Sequence, residues 1–284
     1  MVHNKIITRR NFLKLATLSC GAGLIGSYSF FFERNKLQIN TYRIPIPNLP
    51  ESFEGFTIAH ISDIHYGFYF TLDHVKEIVK TANSLSSDLI VCTGDYIYRN
   101  YSDKPIDTVW PVLSLLQARH GVFSVLGNHD YWGRSKRSIY WLEKSGQSLH
   151  FKAKPVIRNG EALWFIGIGD LWEDYANVDH ILSKSPPDSC RILLVHNPDT
   201  ADMIYSSRAD LVIAGHTHGG QVKFPFIGSP ILPVYNKKYS SGLKYTASNI
   251  PVFITRGIGC SNLPIRFNCY PEIAVLKLTR ANIL

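Results

Sequence analysis

No two cysteines in the sequence have the spacing of a metal-binding pair. The five cysteines are scattered, at positions 20, 92, 190, 260 and 269, which argues against a thiolate zinc site and against a disulfide scaffold. Cys92 and Cys190 are predicted to be small buried side chains. A disulfide between Cys260 and Cys269 stays an open alternative if the domain is exported.

Charged residues are also scarce, at 18% of the chain, and half of the positive excess lies at the N-terminus. The net charge is +8, but Lys5, Arg9, Arg10 and Lys14 precede every acidic residue. Without these four, 26 basic residues face 22 acidic ones and the net charge is +4. The rest has no basic stripe interleaved with aromatic residues, so the sequence argues against nucleic acid as a partner.

Internal repeats and low-complexity tracts are absent, which excludes repeat architectures. The 284 residues, of which 45% are hydrophobic, suffice for one large domain with a packed core. We assign residues 53–284 to this domain.

The N-terminus has the features of an export signal. Residues 8–14 read TRRNFLK, which resembles the twin-arginine export motif, and residues 15–32 carry no charge. We therefore interpret residues 1–32 as a twin-arginine-like signal or membrane anchor, with an uncleaved anchor favoured and cleavage left open. The domain is then expected outside the bacterial inner membrane. The alternative is the cytoplasmic face of the same membrane.

Residues 33–52 follow as a polar, proline-bearing connector that could contain a first edge strand. Beyond them, apolar runs alternate with helical patterns, which indicates an α/β protein with buried strands. Helices are predicted at Leu72–Leu85, Thr108–Ala118 and Ser138–Lys144 from apolar spacing. Strands are predicted at Phe56–His60, Asp88–Cys92, Gly121–Leu126, Leu163–Ile168, Arg191–Val195, Asp210–Ala214, Pro251–Thr255 and Ile273–Leu278.

Polar residues follow five of these strands directly. Each cluster alone has an ordinary explanation as a turn, a helix cap or a hydrogen-bonded core histidine. Five such clusters in succession are much harder to explain by chance. Because strand ends on one edge of an α/β sheet converge, the side chains are expected to form one site. They are Asp63 and His65, Asp95, Asn128 and His129, His196, and His216 and His218.

The order of these clusters resembles that of the calcineurin-like metallophosphoesterases. The matching runs are Asp63-Ile64-His65, Gly94-Asp95, Gly127-Asn128-His129-Asp130, His196 and Gly215-His216-Thr217-His218. Further runs at 169–172, 196–200, 215–221, 255–259 and 268–272 resemble the bacterial YaeI-type phosphodiesterases. The resemblance implies a four-layer αββα sandwich with a dinuclear metal site at the C-terminal ends of strands.

Carried over by motif position, the resemblance implies two divalent ions bridged by Asp95. Asp63, His65 and His218 would complete one site, and Asn128, His196 and His216 the other. Oxygen and imidazole ligands suit Mn²⁺, Fe or Zn²⁺. A hydroxide bridging the ions would attack phosphorus in line, with His129 protonating the leaving oxygen. Many relatives have an acidic residue three positions after the bridging aspartate, where this sequence has Tyr98.

Substrate contacts are predicted at Arg99, Gly219, Phe224 and Phe226. Together with the anchor, the aromatic residues favour a phosphodiester or pyrophosphate substrate that is lipid-linked. The leading prediction is a phosphodiesterase. One alternative is a pyrophosphatase of the kind that cleaves UDP-2,3-diacylglucosamine in lipid A synthesis, and another is a non-catalytic scaffold with the same fold. The oligomeric state stays open.

Overall fold

A computed structural model describes residues 8–99, 102–132, 134–174, 178–203 and 208–281. Its strands form two sheets, with orders β1-β11-β2-β3-β4 and β5-β6-β7-β8-β10-β9. The strands are β1 (Gln38–Ile46), β2 (Thr57–Ile61), β3 (Leu89–Cys92), β4 (Val122–Ser124), β5 (Ala153–Arg158), β6 (Glu161–Gly167), β7 (Cys190–Leu194), β8 (Leu211–Ala214), β9 (Gly242–Tyr245), β10 (Pro251–Ile254) and β11 (Glu272–Arg280).

The strands that precede the predicted ligands run parallel within each sheet. In the first sheet β2, β3 and β4 are parallel neighbours, and in the second sheet β6, β7, β8 and β10 are parallel neighbours. Strands β5 and β9 pair antiparallel at the two edges of the second sheet. The C-terminal ends of the parallel strands therefore meet at one edge of each sheet.

The two sheets pack face to face around an apolar core. Ile58, Val91 and Phe123 from the first sheet share one buried cluster with Phe165 and Ile213 from the second. Because side chains alternate along a strand, the intervening residues face outward and need a second cover. Both outer faces of the sheet pair are accordingly covered.

Helices cover these outer faces. The first sheet packs against α2 (Leu72–Ser84), α3 (Lys104–Leu113) and α5 (Ser135–Lys144), and the second against α6 (Val178–Leu182). A one-turn helix, α4 (Asn128–Tyr131), follows β4. The arrangement is the predicted αββα sandwich. Helix α3 lies about one turn earlier than the apolar spacing indicated, because Pro105 is favourable in its first turn.

The chain begins with an apolar helix, α1 (Arg9–Ser27), which continues as further helical turns to Asn35. The whole segment Arg9–Asn35 is long and apolar enough to cross a membrane, and only 6% of its most apolar stretch is buried against the rest of the protein. Length and composition alone are weak evidence for a membrane span, because signal sequences share both.

Residues 38–46, within the predicted connector, form strand β1 at the edge of the first sheet. The strand pairs with β11 in parallel over its full length, and Ile44 and Ile46 belong to the core between the sheets. The folded unit therefore includes residues ahead of the boundary drawn at residue 53. All five cysteines are free thiols, including Cys260 and Cys269, and Cys92 and Cys190 are buried as expected.

Candidate metal centre

The loops after β2, β3, β4, β7 and β8 meet where the two sheets adjoin. A direct contact joins the sheets there, because the backbone N–H of His216 donates to the carboxylate of Asp63 at 3.0 Å. All seven predicted ligand residues lie within this junction and are buried: Asp63, His65, Asp95, Asn128, His196, His216 and His218.

His196 and His216 point ring nitrogens at each other. A carbonyl oxygen can only accept a hydrogen bond, so His196 Nδ1 donates to the carbonyl of Thr93 at 2.7 Å. His216 Nε2 donates to the carbonyl of Pro233 at 2.8 Å for the same reason. In the neutral rings, the lone pairs of His196 Nε2 and His216 Nδ1 then face each other across 3.0 Å. A proton or a metal ion between the two nitrogens relieves this repulsion, and a backbone carbonyl that fixes the outer nitrogen is the usual support of a metal-binding histidine.

A second group of ligand atoms lies beside the first. His65 Nε2 and His218 Nε2 are 2.9 Å apart, and Asp63 Oδ1 is 3.4 Å from His218 Nε2. Asp63, His65 and His218 form one candidate metal-binding cluster, and Asp95, His196 and His216 form another; a third, of His65, Asp95 and His129, overlaps both. The described residues therefore contain two adjacent sets of nitrogen and oxygen donors suited to divalent ions.

Asp95 faces both sets. Its Oδ2 lies 3.5 Å from His65 Nε2 and 3.3 Å from His196 Nε2. Burial by itself would lower the pKa of His196, but Asp95 and Asp63 outweigh burial and raise that pKa to about 10. The two carboxylates thus favour positive charge at His196, whereas burial holds the pKa of His65, His216 and His218 below the usual value. The buried Oδ1 of Asn128 has no hydrogen-bond partner among the described residues and is free to act as a ligand.

The backbone at the site is strained. Five of the seven predicted ligand residues have positive φ, which is uncommon outside glycine: Asp63 (56°), His65 (50°), Asp95 (56°), His216 (71°) and His218 (52°). Such conformations cost roughly 1–3 kcal/mol each and cluster at functional sites, where the surrounding structure enforces them. The strain is consistent with loops shaped to converge ligands rather than to stabilise the fold.

His129 adjoins the set of Asp63, His65 and His218 and lines a cavity beside it. Its ring centroid lies 4.5 Å from that of His65, 4.4 Å from that of Trp132 and 5.3 Å from that of Tyr98. Aromatic contacts thus orient the ring. Nδ1 of His129 has no partner among the described residues. Burial lowers the pKa of the ring, with Asp95 acting in the opposite direction.

Asp130 supports the site without facing it. Its carboxylate accepts backbone N–H groups from Asp95 at 2.8 Å, from Tyr96 at 3.0 Å and from Gly127 at 3.0 Å. These bonds join the loops after β3 and β4 and thereby hold Asp95 in place. Sequence reasoning missed this role, because Asp95 and Tyr96 lie more than 30 positions away and donate through the backbone, which carries no side-chain signal.

An open cavity of about 260 Å³ leads to the ligand atoms. The predicted contact Arg99 lines it, with its guanidinium stacked 4.4 Å from the centroid of Trp132. Trp132, Trp172 and Asn262 also line the cavity and were not predicted. Of these, only Trp172 had a sequence signal, since it belongs to the run at 169–172.

The other predicted substrate contacts lie elsewhere. Gly219, Phe224 and Phe226 are not among the described residues that line the cavity. The N–H of Gly219 donates to Thr217 and its carbonyl accepts from Ser229. Phe224 and Phe226 stand on a small hairpin closed by hydrogen bonds between Phe224 and Gly228, and the side chain of Phe226 is fully exposed.

Comparisons with known proteins agree with this geometry. Residues 56–220 match the family model described as calcineurin-like phosphoesterase. The chain is 33% identical to the uncharacterized metallophosphoesterase YkuE of Bacillus subtilis, over 98% of this chain and 100% of that protein. The chain belongs to the calcineurin-like phosphoesterases.

Further relatives of this phosphoesterase include the phosphodiesterase YaeI of Escherichia coli, 30% identical over 96% of this chain and 100% of that protein. A protein of Danio rerio named as a transmembrane protein with metallophosphoesterase domain is 29% identical over 84% of this chain and 56% of that protein. Members of the family are hydrolases that act on phosphoester bonds. The chain is therefore a hydrolase of this class, and the scaffold alternative is not supported.

Proposed function

We propose that the chain is a membrane-anchored phosphodiesterase that uses two divalent ions. The observation that carries the proposal is the pair of adjacent donor sets that share Asp95. One ion would be held by Asp63, His65, Asp95 and His218. The other would be held by Asp95, Asn128, His196 and His216, with the unpartnered Oδ1 of Asn128 completing the set.

The donor chemistry supports Mn²⁺, Fe or Zn²⁺ as the resident ions. All proposed ligands are carboxylate, amide or imidazole groups, which suit these metals and leave the site without thiolate. When bound, the ions acidify water and neutralise the oxygens of a phosphoryl group.

The chain's own residues would then position substrate and move protons. Arg99 would donate hydrogen bonds to a phosphodiester oxygen from the cavity wall, with its guanidinium held against Trp132. His129 would protonate the leaving oxygen from the same wall. Because burial lowers the pKa of its ring, protonation of His129 depends on the negative charge of the bound phosphodiester, which raises that pKa again.

Two observations support a diester as the substrate and the membrane as the location. The relative from Escherichia coli is named a phosphodiesterase and covers nearly the whole chain. The apolar segment Arg9–Asn35 supports anchoring in a membrane, and the Arg9-Arg10 pair supports export by the twin-arginine route.

Protease accessibility in spheroplasts tests the export route. Replacing Arg9→Lys together with Arg10→Lys should protect the domain from external protease. Equal accessibility in this variant and the wild type would show that export by the twin-arginine route is wrong.

A leaving-group comparison tests the chemistry. The full chain, loaded with Mn²⁺ or Zn²⁺, is assayed on bis(4-nitrophenyl) phosphate, on a dialkyl phosphate diester and on the matching monoesters. We expect the diesters to be preferred. His129→Ala should lower turnover of the dialkyl diester by about 10²–10⁴-fold and affect the nitrophenyl diester much less, because nitrophenolate leaves without protonation. Equal losses on both diesters, at unchanged metal content, would remove His129 as the proton donor.

A further inference from the structure

An apolar groove opens directly from the cavity. It encloses about 170 Å³ and shares His218, Pro233, Ser261 and Asn262 with the cavity wall. Beyond these shared residues its walls include Val222, Ile231 and Leu263. A substituent attached to a phosphoryl group in the cavity could therefore extend into the groove without leaving the protein surface.

The outer margin of the groove is apolar and exposed. The segment 224–235 has twelve residues without a charge, and it carries most of an apolar rim formed by Phe226, Ile227, Ile231 and Leu263. Ile231 is 77% exposed and Leu263 57%, although both line the groove. Clusters of exposed large apolar side chains mark binding surfaces on folded proteins.

The segment that follows α1 packs on residues 264–269, which adjoin Leu263 of this rim. The carbonyl of Ser29 accepts the N–H of Arg266 at 3.3 Å, and the buried carboxylate of Glu33 accepts the N–H of Cys269 at 2.6 Å. Arg34 donates to the carbonyl of Pro264 at 3.3 Å. The end of the candidate membrane span is thus bound by hydrogen bonds to residues 264–269, which immediately follow Leu263.

The same loop also holds the hairpin. Val222 pairs with Phe267, and the N–H of Lys223 donates to the carbonyl of Phe267 at 2.9 Å. Phe224 packs against Phe267 with ring centroids 6.1 Å apart. Tyr28, Phe30, Phe31 and Phe32 supply the aromatic residues typical of a membrane interface. One loop therefore links the interfacial end of the span to the apolar rim.

We propose that the apolar rim rests in the bilayer surface and that the groove receives the hydrocarbon chain of a membrane lipid whose phosphodiester lies in the cavity. This inference rests on the proposed function and adds the substrate class. It assigns the apolar part of the substrate to the groove walls, and Phe226 to the rim, where the sequence predicted Phe224 and Phe226 as its contacts. The chain would enter past Ile231 and Leu263, while the metal ligands and Arg99 hold the phosphodiester.

The groove is tested with soluble diesters that differ only in one alkyl chain. The full chain in phosphatidylcholine nanodiscs is assayed on methyl, propyl and hexyl 4-nitrophenyl phosphate, and kcat/KM of hexyl over methyl is the readout. Since each buried methylene raises kcat/KM by about fourfold, we expect the hexyl-to-methyl ratio of the wild type to exceed about 10. Ile231→Ser combined with Leu263→Ser should reduce the ratio to about 1–3.

Ile157→Ser is the matched control and should keep the wild-type ratio. Ile157 is an isoleucine of comparable exposure on β5. It pairs with Ala162 near the start of β6, so it lies at the end of the strands that is remote from the site. A wild-type ratio near 1 with rapid hydrolysis of the methyl ester overturns the groove and leaves the proposed function intact. No hydrolysis of the methyl ester overturns the proposed function itself.

The contact with lipid is tested separately by fluorescence. Phe226→Cys and Ile157→Cys, each in a Cys20→Ser background that removes the one exposed native thiol of the described residues, are labelled with a polarity-sensitive dye in nanodiscs. We expect blue-shifted emission at position 226 that brominated phosphatidylcholine quenches, and neither effect at position 157. Equal emission at both sites, or a blue shift that brominated lipid leaves unquenched because a second protein copy covers the rim, overturns the proposal.

Discussion

Gly127→Ala is expected to damage the site without removing any ligand. A Cβ atom added to Gly127 would lie 2.3 Å from Asp95 Oδ1 and 2.7 Å from the ring of His196. Ordinary contacts begin at 3.4 Å, so one of these groups must move by about 1 Å. Because Gly127 has φ −109°, alanine adds no backbone strain, and the displacement of the ligands is the main effect.

A misplacement of about 1 Å in a catalytic site can cost about 100-fold in rate. We therefore expect Gly127→Ala to lower kcat/KM on bis(4-nitrophenyl) phosphate by about that factor and to lower metal content measured by elemental analysis. The thermal midpoint of unfolding should change little if Asp95 and His196 can shift toward the open cavity.

Gly146→Ala is the matched control, because it should destabilise the fold and leave the site intact. Gly146 has φ +75° and open space around its Cβ direction, so alanine there is strained but displaces no neighbour. It should lower the free energy of unfolding by roughly 1–2 kcal/mol and leave kcat/KM and metal content unchanged. Wild-type activity in Gly127→Ala would refute the reasoning, as would an equal loss of activity in both variants.

Two further variants examine charge. Asp95→Asn should abolish diester hydrolysis and lower metal content, since it removes the charge that faces both donor sets; retained activity at full metal content would contradict the shared role. Arg256→Met should lower the free energy of unfolding by about 3–5 kcal/mol at neutral pH, because it leaves the buried carboxylate of Glu272 without its 2.7 Å partner. Burial alone would raise the pKa of Glu272, but Arg256 lowers this pKa below 4.5. The pair therefore stabilises the fold above that pH. The difference in unfolding free energy between variant and wild type should shrink as the pH falls through the lowered pKa. Urea unfolding at several pH values measures this, and a difference independent of pH would contradict it.

Much of the fold follows from local pattern. Short continuous apolar runs located the central strands to within a few positions, because strands buried on both faces are apolar along nearly their whole length. Strands β5 and β9 were missed, since they are edge strands with half-exposed side chains. Strand β1 was only an alternative within the connector, and its pairing with β11 joins residues more than 200 positions apart.

The candidate site was predictable in its residues but not in its geometry. Ligand types after five strands were visible because strand ends converge on one sheet edge. The direction of a loop, however, depends on long-range contacts such as the pairing of Val222 with Phe267. That is why Phe226 could be recognised as an unusual loop aromatic while its position outside the cavity could not be predicted. The left-handed backbone of His216 and the role of Asp130 have no local signal.

The account is tested most directly by counting metal ions and measuring activity on the same sample. The full chain, stripped by chelator, is titrated with Mn²⁺ or Zn²⁺ while bound metal and hydrolysis of bis(4-nitrophenyl) phosphate are followed together. Two donor sets that share Asp95 predict activity that is absent in the stripped protein, rises with metal and levels off at about two ions per chain. Full activity in the stripped protein, or saturation with metal and no hydrolysis, would contradict it.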